Sequence, residues 1–266
     1  MTRILIPVFN AATALEACLQ ALTTSISAET AVTLIDDAST DPRVATVINA
    51  FIGAHPNANL ISQTRNGGFV ATVNRGIAAC DEDVVLLNSD TLPTSGFLAA
   101  IDHCAASDAR IATITPFSNN AEICSFPLMC TNNPLPEDLD ACAHAFAAES
   151  DGAVDLPTGV GFCMWIRRET IRRIGGFDEA TFGRGYGEEN DFCQRAAAHG
   201  WRNVLCPTAY VAHVGHASFA ATGERPGGEN LSRLSARYPR YNDEVADFIA
   251  RDPLAAIRAR VALRLS

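Results

Sequence analysis

Short apolar runs alternate with amphipathic stretches through the first 115 residues, a pattern that predicts strands followed by helices. The run at 4–8 leads into a segment where Leu15, Cys18, Leu19 and Leu22 share one helical face, with Asn10 placed to cap it. A second run at 32–35 passes through Asp36 and Asp37 to Asp41 and Pro42. That cap and first-turn pair precedes the helical period of Val44, Val47, Ile48 and Phe51. Strands at 59–62, 84–87 and 111–115 and helices at 69–80 and 97–105 continue the alternation. Such a β/α repeat predicts a parallel sheet.

Right-handed crossovers bring the carboxyl ends of the strands to one edge, where open α/β sheets bind their ligands. The residues there are polar after each of the first four strands: Asn10, then Asp36 and Asp37, then Arg65 and Asn66, then Asn88, Ser89 and Asp90. Capping and turn formation account for Asn10 and Asp36. They account less well for three polar residues directly after the run ValValLeuLeu. Asn88 and Asp90 lie on the same side of an extended segment and offer oxygen ligands to a hard divalent cation, although the triplet by itself is a weak signal.

Further along, Gly183, Gly185 and Gly187 lead into Glu188, Glu189 and Asp191 at what reads as the first turn of a helix. The unpaired N–H groups and dipole of a helix start offset part of the repulsion among the acids. Capping is therefore one reading. Three acids exceed what a cap uses, however, and the glycines mark a mobile loop near a ligand, so a functional carboxylate is preferred.

Composition narrows the function classes. With 20 basic and 30 acidic residues the formal charge is -10, which argues against a nucleic-acid partner and suits a site that recruits a cation. The nine cysteines include no CxxC pair and sit mostly among apolar neighbours, as Cys80, Cys104, Cys163 and Cys206 do; buried free thiols in a reducing compartment explain them. The N-terminal apolar run is too short for a signal peptide, and no stretch approaches a membrane span, so a cytoplasmic protein is expected. Residues 231–266 read as helices. In the last, at 254–265, Leu254, Ile257, Val261 and Leu265 line up beside Arg251, Arg258, Arg260 and Arg264. Two readings stand: peripheral contact with anionic lipid on the inner face of the cell membrane, or an arginine-rich solvated face on a packed or homodimer-forming helix. The helical pattern runs to the last residue, as in one domain of a longer protein.

Taken in order, the motifs resemble glycosyltransferase family 2 over residues 3–219. They are IleProValPheAsn at 6–10, AspAspAlaSerThrAsp at 36–41, AsnGlyGlyPhe at 66–69 with Asn74 and Gly76, and LeuAsnSerAsp at 87–90. ThrGly at 158–159, GlyGlyPheAspGlu at 175–179, GluGluAsnAsp at 188–191, and His213 with Ser218 and Phe219 follow. The flavour is that of bacterial surface-glycan enzymes, rhamnosyltransferase-like. The resemblance implies an α/β GT-A fold over residues 1–226, in which a Rossmann-like nucleotide-sugar half (1–115) is fused to an acceptor half (116–226), with a C-terminal helical extension at 227–266.

It also implies roles. Pro7 and Val8 would lie against the base, with Asp36 or Asp37 reading its edge. Asn10, Arg65, Asn66, Gly67, Gly68, Asn74, Asn88 and Ser89 would complete the site for a UDP- or dTDP-linked sugar. Asp90 matches the last acid of the family's metal triplet, and His213 matches the histidine that completes the site for Mn²⁺ or Mg²⁺; Asn88 departs from the family's Asp. Thr158, Gly159 and Glu188 would contact a glycan or lipid-linked acceptor. Glu189 takes the position of the base, where the family commonly has Asp, with Glu188 and Asp191 as alternatives. An inverting hexosyltransferase is the expected activity. The rivals are a catalytically inactive nucleotide-sugar-binding module, which should lack Asp90 or the base, and a sugar-nucleotide pyrophosphorylase, which needs a glycine- and basic-rich loop after strand one. Residues 116–157 carry an alanine-rich helix at 141–148 and no assigned chemistry, and Trp165 and Trp201 read as core.

Overall fold

A computed structural model describes residues 2–215 and 228–266 of the chain. It opens with β1 (Thr2–Val8), α1 (Ala12–Ser25), β2 (Val32–Asp36), α2 (Pro42–Ala54), β3 (Ala58–Ser62), α3 (Phe69–Ala78) and β4 (Asp83–Leu87). Next come β5 (Thr91–Pro93), α4 (Phe97–Ser107), β6 (Ile111–Phe117), a 3-10 turn at Glu122–Cys124, α5 (Leu139–Ala147), β7 (Val154–Asp155) and β8 (Cys163–Ile166). The remaining elements are α6 (Arg168–Ile174), α7 (Glu179–Phe182), α8 (Glu188–Ala198), β9 (Arg202–His213), α9 (Glu229–Arg237), α10 (Tyr241–Arg251) and α11 (Ala255–Leu265).

The apolar periodicities become these elements for the expected reasons. Asp41 caps α2 by accepting from the Arg43 N–H, and Pro42 fills its first position. Val84, Val85, Leu86 and Leu87 are all buried, as a strand covered on both faces requires; each such side chain contributes roughly 1.5–3 kcal/mol. Gly76 lets α3 lie close on the sheet, since a Cβ there would sit 2.9 Å from Ile35 Cδ1.

Nine strands form one sheet among the described residues, in the order β3-β2-β1-β4-β8-β6-β9-β5, with β7 beside β9. The first four are mutually parallel. The fifth predicted strand, β6, keeps the direction of the first four, but the expectation of an all-parallel sheet is corrected: β8 lies between β4 and β6 and runs antiparallel to both. Trp165, fully buried, pairs with Val85 on one side and Ile114 on the other. β9 then runs parallel to β6 and antiparallel to β5, with Thr91 opposite His213. Strand order reverses direction between β1 and β4, so the crevice outside their carboxyl ends is the switch point where α/β sheets take ligands.

Two apolar clusters cover the faces of the sheet, one with α1, α2, α4 and α5, the other with α3, α6 and α8. All nine cysteines are free thiols; eight are buried and Cys130 is exposed. Trp201, read as core, is half-buried and lines a cleft of about 740 Å³ with Gln194, Asp155 and Tyr238.

The C-terminal helices pack onto the domain. Leu254, Ile257 and Val261 are buried. Arg260 and Arg264 both pair with Glu149, whose side chain is 1% exposed, and Arg258 pairs with Asp252. Arg258, Arg260 and Arg264 thus serve ion pairs within the chain. No helix among the described residues is long and apolar enough to cross a membrane.

Candidate active site

At the switch point, the loops after β1 and β2 are tied together. Asn10 does not cap α1 as expected; Ala11 holds the N-cap position and gives no side-chain bond. Instead, Asn10 Oδ1 accepts from the backbone N–H groups of Thr40 (2.8 Å) and Asp41 (3.0 Å), while its own N–H donates to Ser39 Oγ (2.8 Å). Asp36 Oδ1 accepts from the Ser39 N–H. Asn10, Ala11 and Ala38 all adopt left-handed φ angles, 54°, 52° and 59°. Strain of this kind in non-glycine residues is retained where a ligand surface is built.

Asp37 is 3% exposed and holds the next loop in place. Its oxygens accept from the N–H groups of Gly67 (2.7 Å) and Gly68 (2.9 Å) and from Gln63 Nε2 (2.9 Å). The expected reading of a nucleobase by Asp37 gives way to a structural role, because three of its acceptor sites are taken by the chain itself. Gly68, at φ 88°, is pressed against Arg184, where a Cβ would come within 3.0 Å of the Arg184 backbone. Arg184 also donates to Asn66 Oδ1 (2.5 Å), docking the glycine-rich loop on the start of α3.

Across the crevice, Asp90 is 5% exposed and its Oδ1 lies 3.4 Å from His213 Nε2. His213 Nδ1 lies 2.8 Å from the Asn120 carbonyl oxygen, so Nδ1 carries the proton and donates. With Nδ1 turned to that carbonyl, Nε2 is the ring nitrogen that faces the carboxylate, and the two can take a cation between them. The donor set, one imidazole and one carboxylate, fits Mn²⁺ or Mg²⁺ whose other positions go to a ligand and water. No cluster of three or more such groups exists among the described residues. Asp90 also borders a cavity of about 470 Å³ with Ala11, Ala14, Leu92 and Val214.

The three acids of α8 have three different surroundings. Asp191 is fully buried; Arg237 Nη1 (2.7 Å) and Tyr238 Oη (2.8 Å) donate to Oδ1, and Arg195 Nε (2.7 Å) donates to Oδ2. Burial and this contact push the Tyr238 phenol up to about 12, keeping it a donor. With both oxygens engaged, Asp191 is corrected from candidate base to structural anion. Glu188 is 4% exposed, and its Oε2 has no hydrogen-bond partner. Burial, then the charge of Glu189, pushes its carboxyl well above the usual range; so sealed, it does not offer itself to an acceptor. Glu189 is half-buried beside Gly161. Burial raises it as well, with a smaller push from Glu122 and backbone N–H groups pulling the other way.

Thr158 and Gly159 are stapled to the same helix, through Asn190 Nδ2 to Thr158 Oγ1 (2.8 Å) and Gly159 N–H to Cys193 Sγ (3.1 Å). Asn74 is another correction. Its amide exchanges two 2.9 Å bonds with the Phe177 backbone, and a Cβ on Gly176 would meet its Oδ1 at 2.6 Å. It therefore spends one N–H and one lone pair of its amide on fixing the GlyGlyPheAsp turn, a structural role. Val8 is a core side chain at 1% exposure, which leaves Pro7 as the surface of that pair. Arg65 faces an outer cleft of about 890 Å³ with Arg75 and Glu179, and Ser89 is buried beside half-buried Asn88. Ser218 and Phe219 lie outside the described residues. Sequence reasoning missed Arg184, Arg237, Tyr238 and Asn119, polar residues with no motif spacing to flag them.

Comparison with known proteins bears on the family and the fold. The family model described as glycosyltransferase like family 2 matches residues 2–226. The N-acetylglucosaminyl-diphospho-decaprenol L-rhamnosyltransferase of Mycobacterium tuberculosis is 26% identical over 229 residues, 75% of this chain and 71% of that protein. Among solved structures, the mannosyltransferase PcManGT from Pyrobaculum calidifontis, in complex with GDP-Man and Mn²⁺, aligns with a TM-score of 0.62 at 17% identity, covering 98% of this chain and 73% of the other. GalNAc-T7 with UDP, GalNAc and Mn²⁺ aligns at 0.68 and 14%, covering 98% and 55%. Both share the fold, that of GT-A glycosyltransferases.

Two outcomes follow from the side-chain surroundings. Asn74→Ala should lose about 1–3 kcal/mol in denaturant unfolding with nucleoside diphosphate affinity unchanged; a stable variant that no longer binds nucleotide would restore a donor role to Asn74. For Glu188 the folded-state pKa is raised, so its contribution is fully present below the unfolded value and is lost as pH rises through the folded one. Glu188→Gln should therefore match wild type in melting temperature in acid and exceed it increasingly as pH rises; a difference that shrinks with pH contradicts the assignment.

Proposed function

The chain belongs to glycosyltransferase family 2, and on that premise we propose that it moves a sugar from a UDP- or dTDP-linked donor to a hydroxyl of a glycan or lipid-linked acceptor, with inversion. The observation that carries this reading is the pairing of a raised, half-buried carboxylate, Glu189, with a separate cation-type pair, Asp90 and His213.

The donor would lie over the crevice between β1 and β4. Pro7, Asp36 and the strained turn at Asn10 face its nucleoside, and the loop held by Asp37 supplies Asn66, Gly67 and Gly68. Asp90 and His213 would hold Mn²⁺ or Mg²⁺, which when bound offsets negative charge developing on the departing diphosphate. Glu189 accepts the proton of the acceptor hydroxyl. The hydroxyl oxygen forms the new bond to the anomeric carbon from the face opposite the diphosphate, and the bond to the diphosphate oxygen breaks with its electron pair. Burial of Glu189 helps, because a base with a raised pKa takes a proton more readily near neutral pH. Thr158 and Gly159, fixed to α8, would border the acceptor. A β-linked donor then gives an α-glycoside, and an α-linked donor a β-glycoside. A role in surface polysaccharide synthesis is supported by the relative that is a rhamnosyltransferase named for a polyprenyl-diphosphate-linked sugar.

A panel of UDP- and dTDP-sugars with an acceptor extract, scored for release of nucleoside diphosphate, tests this reading. One donor should support release, EDTA should abolish it, and Glu189→Gln should lower kcat by roughly 10²–10⁴-fold. The acidic limb of kcat/KM should lie above 4.5, the ordinary glutamate value. Nucleotide binding without turnover in any combination would contradict the proposal.

A further inference from the structure

Residues 118–120, SerAsnAsn, lie in the stretch to which the sequence assigns no chemistry, yet they grip His213 at three points. Asn119 Oδ1 accepts from the His213 N–H (2.8 Å), Asn119 Nδ2 donates to the His213 carbonyl oxygen (3.0 Å), and the Asn120 carbonyl oxygen accepts from His213 Nδ1 (2.8 Å). The Phe162 ring stacks on the imidazole at 5.2 Å and closes its other side. Asn119 is itself 3% exposed and anchored: its Nδ2 reaches the Asn133 carbonyl oxygen (3.1 Å), and its own carbonyl oxygen accepts from Asn133 N–H and Nδ2, both at 3.1 Å.

We propose that Asn119 is a positioning residue for the cation pair: it fixes the backbone of His213 on both sides of the residue so that the ring meets the Asn120 carbonyl through Nδ1 and aims Nε2 at Asp90. This inference rests on the reading of Asp90 and His213 as cation ligands. The physical reason is twofold. An imidazole binds a metal through one nitrogen only when the other is held as a donor, and that choice is made by the carbonyl facing it. Keeping Asn120 O in register with Nδ1 depends on locking His213, at the end of β9, to residue 119, and the Asn119 amide does this with a donor and an acceptor at once. Asn119 touches neither donor nor acceptor sugar. It acts through His213.

Binding of Mn²⁺ alone, read from the free-ion electron paramagnetic resonance signal, tests this without turnover. His213→Ala and Asn119→Ala should each weaken Mn²⁺ binding roughly 10–100-fold, and the double variant should be no weaker than His213→Ala. A merely structural Asn119 would instead lower the melting temperature and leave Mn²⁺ affinity intact. Should Asn119→Ala fail to fold, Asn119→Ser, which keeps a small polar group but loses the two-sided grip, carries the same expectation. Asn133→Ala, which disturbs the anchoring loop and leaves the His213 contacts in place, separates the two effects by keeping its affinity. Unchanged affinity in the Asn119 variants with a loss in His213→Ala overturns the positioning role alone. Additive losses in the double variant also overturn it. Unchanged affinity in His213→Ala overturns the cation reading and the positioning role with it.

Discussion

Asp191 is fully buried on α8, and a carboxylate withdrawn from water in this way persists only where its charge is met. Removing one partner of such a group costs about 3–5 kcal/mol when the pair is sealed; here Arg237 is 38% exposed, so solvent screens part of that cost. Three residues from two parts of the chain, α8 itself and the end of α9, supply the partners. Arg195, one turn along α8, also donates to the carbonyl oxygens of Ile174 and Gly176, which ties the helix to the GlyGlyPheAsp turn. Arg237 reaches Asp178 of the same turn as well as Asp191 and stacks over Phe182, while Tyr238 adds its hydroxyl. Asn230, also on α9, donates to the carbonyl oxygens of Phe182 and Gly185. Helix α9 therefore helps to orient α8.

Neutralising Asp191 lets the other two acids stay in the first turn of α8, against its unpaired N–H groups. The glycine-rich loop before them is held at both ends, by Asn230 on one side and by Arg184 docked on Asn66 and Gly68 on the other. Since the turn at Gly67 and Gly68 hangs on Asp37, a chain of contacts runs from the end of β2 to the helix carrying the proposed base. The cation pair is held by a different constraint. It exists because β5 and β9 pair antiparallel and set Thr91 opposite His213. The proposed base and the proposed cation pair are thus placed by independent parts of the fold.

Most of the first half was legible in the sequence. Apolar runs and period-3.6 patterns, with the Asp41 and Pro42 pair, placed β1 to β4 and α1 to α3, because the central strands are covered on both faces and each helix buries one apolar face. The insertion of β8 was not legible: CysMetTrpIle is an apolar run with no direction written in it, and its antiparallel course is set by partners far along the chain. Candidate residues divided in the same way. Asp90 and His213 were named from motif resemblance, and the structure brings them together. Asn10, Asp37 and Asn74 were named as ligand contacts, yet their polar atoms bond to loops 26 to 103 residues away, which residue type alone does not reveal. Likewise GluGluAsnAsp shows three equivalent acids, and only their surroundings separate a neutralised anion, a sealed carboxyl and a half-buried carboxyl, the proposed base.

The stereochemistry of the glycosidic bond formed tests the single-displacement mechanism most directly. With the donor that supports turnover, nuclear magnetic resonance of the product's anomeric centre should show the configuration opposite to that of the donor, as attack assisted by one base from the far face requires. A product that retains the donor configuration would require two displacements and a nucleophile on the protein, and would contradict the assignment of Glu189 as the base for in-line attack.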